Sequence, residues 1–179
     1  RLVDTPPDLM RTSHFEAEAR RAVKGLKNVK VRSIVGKDLL AHSMGGIYNV
    51  GRCAEVEPRL VVLEYTPKKK ARRTVGLVGK GIIYDTGGLD LKVGGSMPKM
   101  KSDMGGAAAV LGSFLMLAQT GCPDRVVALC CMAENAIGPA SYRSDDILTF
   151  HSGKTCEINN TDAEGRLLLA DGVSYAARD

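Results

Sequence analysis

The chain predicts an α/β fold: a mostly parallel sheet flanked by helices in three layers. Strand-like runs alternate with helix-forming runs along most of its length. One run, residues 126–132, is apolar at nearly every position, as a strand covered on both faces must be. Charged and polar side chains stand just after the predicted strands, at Asp85, at Glu134 and Asn135, and at Asp162. In open α/β sheets the carboxyl ends of the strands form the rim where ligands gather.

Thr5-Pro6-Pro7 halts the incoming chain and introduces a helix over 8–24, whose Phe15, Ala19, Ala22 and Val23 share one face. Residues 29–35 alternate like a strand, and 37–42 predict a short helix. The segment GGIYNVG at 45–51 is too glycine-rich for either and predicts a loop. Residues 60–65 and 74–78 read as consecutive strands on either side of a basic turn, and 81–84 resume extended chain up to Asp85. Residues 86–106 hold six glycines and little periodicity. A loop that long inside a compact domain is usually functional. An alanine-rich helix over 107–119 ends at Gly121-Cys122-Pro123, the strand at 126–132 follows, and 167–177 is apolar enough for a buried helix.

At 179 residues the chain fits one domain with a substantial core. Its 44% apolar and 25% charged residues exclude a disordered or fibrous class. No apolar run approaches the roughly 20 residues of a membrane helix. The opening RLVDTPPDLM also lacks the basic-then-apolar order of a secretory signal. Five cysteines with no CxxC pair argue against a disulfide framework and for a reducing, cytoplasmic setting. The net charge of +5 is partly local, since KKKARR at 68–73 carries five cations. This run separates two strands and reads as a solvated turn; no aromatic residue interleaves it, so nucleic-acid contact is not expected. Gly79-Lys80-Gly81 and Gly153-Lys154-Thr155 lack the earlier glycine of a phosphate-binding G-x4-G-K-[ST] loop.

The most informative segment is NNTDAEGRL at 159–167, which sets Asp162, Glu164 and Arg166 at alternate positions where extended chain hands over to the last helix. Charges at the mouth of a buried helix must be paired or bound to a metal. Upstream, glycine-rich segments carry Lys80, Asp85, Lys92 and Asp103, which brings the total to four carboxylates and three cations. Each has a purely structural reading. Thr161-Asp162-Ala163-Glu164 fits a capping box, Asp103 an N-cap for the alanine-rich helix, Asp85-Thr86-Gly87-Gly88 an Asx turn, and the lysines plain surface positions. The conjunction favours a two-metal hydrolytic centre. His14, His42 and His151 lie outside these motifs, which disfavours a histidine-rich zinc site; oxygen donors suit Mg²⁺ or Mn²⁺, and Zn²⁺ accepts them. Metal pairs about 3.5–4 Å apart share an activated water, and a nearby lysine and arginine then polarise a carbonyl and hold an anion.

The segments VGKGIIYDTGGLDLK (78–92), MKSDMGGAAAVLG (100–112) and NNTDAEGRLLLADGVSYA (159–176) resemble the leucine aminopeptidase family of dinuclear metallopeptidases. RLVDTPP and GGIYNVG look closest to its aminopeptidase-like-1 branch, and the resemblance runs from about Leu2 to the end. It implies an aminopeptidase that removes N-terminal residues from short peptides with metal-activated water. Two divalent ions (Zn²⁺ or Mn²⁺, with Mg²⁺ or Co²⁺ as substitutes) and a bicarbonate would serve as cofactors. Asp85 and Glu164 would bridge the ions, Lys80 and Asp103 would complete the tighter site, and Asp162 the more exchangeable one. Lys80 would then be a neutral amine, its pKa drawn well below about 10.4 by the cations and by burial. Lys92 would stay charged and polarise the scissile carbonyl, and Arg166 would hold the bicarbonate that acts as general base. Met100 would line the pocket for the first side chain, and the substrate's free amino terminus would bind a metal. Members are usually cytosolic hexamers without membrane association. They also carry an N-terminal domain and further catalytic-domain strands, so residues 1–179 are expected to be part of the catalytic domain, with the sheet incomplete at its C-terminal side. Two other readings accompany this one: an inactive fragment or pseudoenzyme subunit retaining the metal motifs, and a DNA-binding role.

Overall fold

Four runs rich in valine, leucine and isoleucine form the main sheet of the computed structural model, which describes residues 1–178. They are β1 (Val29–Val35), β2 (Arg59–Tyr65), β3 (Thr74–Asp85) and β4 (Arg125–Asn135), in the order β1-β2-β4-β3. Around them lie α1 (Thr12–Ala22), α2 (Asp38–Ala41), α3 (Gly45–Gly51), α4 (Gly105–Gln119) and α5 (Glu164–Arg178). A small hairpin, β5 (Ile147–Thr149) and β6 (Thr155–Glu157), completes the set.

The expected α/β architecture is present, but the sheet is mixed rather than mostly parallel. Only β3 and β4 run parallel, with Lys80 opposite Cys131; β1–β2 and β2–β4 are antiparallel. Residues 60–65 and 74–78 flank the basic turn as expected, yet they are not neighbours, because β4 lies between them. The reason is the length of the link. Residues 66–73 are too few for the crossover of a dozen or more residues that a parallel connection requires, so β2 and β3 run in opposite directions.

Each face of the sheet is covered. Phe15 and Ala19 of α1 and Ala107, Leu111 and Phe114 of α4 pack on Val61, Leu63 and Cys130. On the other face Ile47 and Val50 of α3 and Leu167, Leu168 and Tyr175 of α5 pack on Leu60, Val62 and Cys131. The adjacent Cys130 and Cys131 thus point to opposite cores, as strand alternation requires. Burial pushes the Cys130 thiol up to about 12, which leaves it unreactive.

Two local expectations are corrected. The helix expected over 8–24 begins at Thr12, because Pro6 opens a turn in which its carbonyl accepts from Leu9 and Met10 N–H. The glycine-rich 45–51 is helix α3 rather than a loop. Tertiary contact overrides propensity there: a Cβ on Gly46 would stand 2.2 Å from the Leu167 carbonyl oxygen, so glycine is what lets α3 lie against α5. Ile47 and Val50 fill the core beneath. The hairpin had no counterpart in the sequence reading; its three-residue strands are mostly exposed and carry too little alternation to register. Among the described residues no helix is long and apolar enough to cross a membrane.

Asp171, fully buried on α5, ties these pieces together. Its carboxylate accepts the Ile47 and His151 backbone N–H groups at 2.9 Å each, and that of Gly46 as well. Burial pushes its pKa up to about 6, against the pull of those N–H donors. A folded-state pKa above the ordinary carboxylate value means that stability is greatest below about 4 and is lost as pH rises through about 6. Denaturant titrations should therefore show the advantage of the native chain over Asp171→Asn shrinking between pH 4 and pH 7, by on the order of 3 kcal/mol. A pH-independent difference would refute this account of Asp171.

Candidate metal centre

The parallel pairing of β3 with β4 sets Asp85 beside Asn135 at the carboxyl ends of both strands, after an irregularity between Ile82 and Asp85. Lys80 comes from the middle of β3, Lys92 from the loop after it, Asp103 from the entrance to α4, and Asp162 and Glu164 from the start of α5. Lys80 Nζ lies 2.8 Å from Asp103 Oδ1 and 2.8 Å from Glu164 Oε1. Lys92 Nζ lies 3.0 Å from Asp85 Oδ2 and 2.5 Å from Asp162 Oδ1. One oxygen from each of Asp85, Asp162 and Glu164 falls within 4.8 Å of the others, close enough to share a metal ion.

The structure therefore gathers Lys80, Asp85, Lys92, Asp103, Asp162 and Glu164 into one cluster, and leaves two expected residues outside its hydrogen bonds. Arg166 is exposed on α5, without hydrogen bond or ion pair among the described residues. Met100, half-buried, begins the 3-10 turn Met100–Ser102 that leads into Asp103. Of the structural readings, only the Asx turn forms: Gly87 N–H donates to Asp85 Oδ1 at 2.9 Å, which leaves Oδ2 facing Lys92. There is no capping box. Asn160 takes the cap position and accepts from Asp162 N–H, while the Thr161 hydroxyl donates to the Gly87 carbonyl at 2.6 Å. Met104, not Asp103, occupies the N-cap position of α4.

Sequence reasoning set Asn135 at the rim without a role in the site, and it missed Tyr142. Asn135, fully buried, donates through Nδ2 to Asp85 Oδ1 at 2.8 Å, to the Thr161 carbonyl at 3.0 Å and to Glu164 Oε2 at 3.5 Å. It therefore fixes how two of the carboxylates face each other. Its place just beyond the apolar run 126–133 was the available signal. Tyr142 donates to the same Thr161 carbonyl at 2.6 Å from an irregular segment that carries no pattern. Burial and the neighbouring carboxylates push its pKa up, so it remains a donor.

Four carboxylates face two ammonium groups here, and Asp85 and Glu164 are only 2% and 1% exposed. Burial pushes Asp103 and Glu164 up; Lys80 pulls them back, and the Asp85 charge pushes both further up. For Lys80, burial pulls the amine down, but Asp103 and Glu164 outweigh it and hold the pKa above its ordinary value. That is the reverse of the direction a neutral-amine ligand needs, and two carboxylates at contact distance are the cause. Asp162 and Asp85 likewise overcome burial at Lys92 and hold it charged. Asp103 Oδ2 is buried without a hydrogen-bond partner among the described residues. A buried excess of negative charge with an orphaned oxygen is costly by itself and matched by divalent cations. The donor set fits such ions.

Lys80 reaches this place across Gly165, where a Cβ would lie 2.7 Å from its Cδ and 2.8 Å from its Cε. Gly165→Ala should thus lower stability by about 1–2 kcal/mol, although alanine is the better helix former by about 1 kcal/mol. In a Lys80→Ala background the same change should become neutral or stabilising, a coupling that denaturant unfolding of the four chains measures.

Comparison with known proteins decides the family. The catalytic-domain pattern of the cytosol aminopeptidase family matches residues 1–179. The chain belongs to the cytosol aminopeptidase family. Its likeness to human "Probable aminopeptidase NPEPL1" is 51% identity over 179 residues, covering 100% of this chain and 34% of that protein. Leucine aminopeptidase 1 of Caenorhabditis elegans is 45% identical over 176 residues, covering 98% of this chain and 35% of that one. Among solved structures, leucyl aminopeptidase of Trypanosoma cruzi superposes with a TM-score of 0.95 at 53% identity, over 99% of this chain and 35% of that chain. The chain thus spans about a third of the length of the cytosol aminopeptidase family members it matches. A Trypanosoma brucei leucyl aminopeptidase solved in complex with bestatin gives a TM-score of 0.93 at 53% identity, over 97% of this chain and 33% of that chain.

Proposed function

We propose that the protein is a metal-dependent aminopeptidase that removes N-terminal residues from short peptides in the cytoplasm. The observation that carries this reading is the cluster of four carboxylates and two lysines at the sheet rim, in a chain of this family. Relatives solved with bestatin and actinonin support a peptide-like ligand. Asp85 and Glu164 would hold both ions, with Lys80 and Asp103 completing one position and Asp162 the other. Bound there, two ions such as Zn²⁺ or Mn²⁺ supply Lewis acidity and an activated water.

The protein's own groups then divide the remaining work. Lys92, held charged between Asp85 and Asp162, is placed to polarise a carbonyl oxygen. Asn135 keeps Asp85 and Glu164 in a fixed relative orientation through its amide. Arg166, exposed at the first turn of α5, is the residue for a bicarbonate anion, and Met100 lines the pocket for the departing residue. Assembly as a hexamer is part of the same reading. Neither the inactive-subunit reading nor the DNA-binding reading is favoured by the family match or the solved relatives.

Metal analysis of the intact protein, together with hydrolysis of a leucyl-anilide substrate, tests the reading. Two ions per chain and turnover are expected; bound metal without turnover would sink it. Asp162→Ala and Glu164→Ala should each lose metal, whereas Lys92→Met should keep both ions and lower kcat by about 100-fold or more. Full metal retention in both carboxylate variants would show that these side chains serve structure alone.

A further inference from the structure

A second concavity lies at the other end of the sheet. The register sets Tyr65 opposite Val126 and Thr74 opposite Arg125, so the amino ends of β3 and β4 and the carboxyl end of β2 share this edge. Asp85 and Asn135 stand at the opposite end of the same strands. The cavity measures about 640 Å³ and has Leu26, Tyr65, Ala118, Cys122 and Pro123 in its walls. That volume falls in the roughly 300–1,000 Å³ range of small-molecule sites.

Its rim is uniformly cationic. Lys27, Lys68, Lys69, Lys70 and Arg72 line it, and no aspartate or glutamate does. None of these five makes an ion pair with a described residue, while the neighbouring Arg73 is paired with Asp124 at 3.0 Å and Arg125 with Glu64 at 3.0 Å. The chain has 25 basic and 20 acidic residues. The five rim cations therefore account for its entire net charge of +5, and the rest of the chain is neutral. The Tyr65 hydroxyl in the wall has no hydrogen-bond partner among the described residues.

Backbone turns shape part of the walls. Gly25, Asn28 and Gly121 hold left-handed φ angles of 86°, 63° and 72° in the turns that enclose the cavity. The Thr66 N–H donates to the Asn28 carbonyl at 3.0 Å, and that of Cys122 to the Leu117 carbonyl at 3.0 Å. A preformed apolar floor under an unneutralised cationic rim selects a ligand with an apolar or ring body and an anionic head. Nucleic-acid backbones instead follow charged grooves lined with stacking aromatic residues, and Tyr65, only 5% exposed, is the one aromatic residue here.

We infer that this cavity binds a small amphiphilic anion, an organic phosphate or carboxylate, at a site separate from the carboxylate cluster. The probe is 8-anilinonaphthalene-1-sulfonate, an aromatic body with one anionic head, titrated by fluorescence into the intact, metal-loaded protein. Saturable one-site binding is expected, weakened at least tenfold by Lys68→Glu/Lys70→Glu and by raising the salt. Ala118→Trp, which fills the floor, should weaken it similarly; the exposed charge pair keeps the test decisive if that variant fails to fold. Absence of binding to the intact protein, or affinity unchanged by the charge reversals, would overturn the inference. So would binding of a DNA oligonucleotide lost in Lys68→Glu/Lys70→Glu where the probe does not bind, since the rim would then serve a polymer.

Discussion

The two negative charges left over at the carboxyl ends of β3 and β4 govern the architecture around them. Carboxylates as deeply buried as Asp85 and Glu164 are tolerated only when every oxygen is answered. Lys80 and Lys92 answer some of them, the Asn135 amide and the Gly87 N–H answer others, and Asp103 Oδ2 is left over. The surrounding chain is shaped to bring these partners in. β3 and β4 must run parallel for Asp85 and Asn135 to end side by side, and α5 must begin close enough for Glu164 to meet both Lys80 and Asn135.

Close approach is the second half of the same constraint. The lysine stem crosses the first turn of α5 where Gly165 has no side chain, and α3 reaches α5 where Gly46 has none. Helix propensity is given up at both places in exchange for geometry. Asp171 then secures α3 and the start of the loop after β5 by accepting their backbone N–H groups, so the packing behind the cluster is itself fixed by a buried charge.

The charged positions were legible in the sequence through their conjunction in glycine-rich segments at strand ends, since each taken alone had a structural reading. Lys80, Asp85, Lys92, Asp103, Asp162 and Glu164 do meet. Strand and helix placement along the chain also followed from apolar periodicity. Strand order did not, because a parallel or antiparallel neighbour leaves the same apolar pattern, and only the shortness of residues 66–73 pointed to the antiparallel relation. Helix α3 was hidden since its stability comes from burial against α5, not from its own glycine-laden composition. Tyr142 acts through one side-chain hydrogen bond and Thr161 through several to Gly87 and Asp90, all between distant segments, which no local pattern announces.

The position of β3 has a consequence for association. It is twelve residues long and, among the described residues, pairs on one side only, with β4. Its other flank presents a row of amide donors and carbonyl acceptors unmatched by any strand among the described residues. Proteins ordinarily cover, bend or charge such flanks to stop neighbouring molecules from adding to them. The same strand carries Lys80 and ends in Asp85, so anything that docks along it presses directly on the backbone that holds the clustered charges in place.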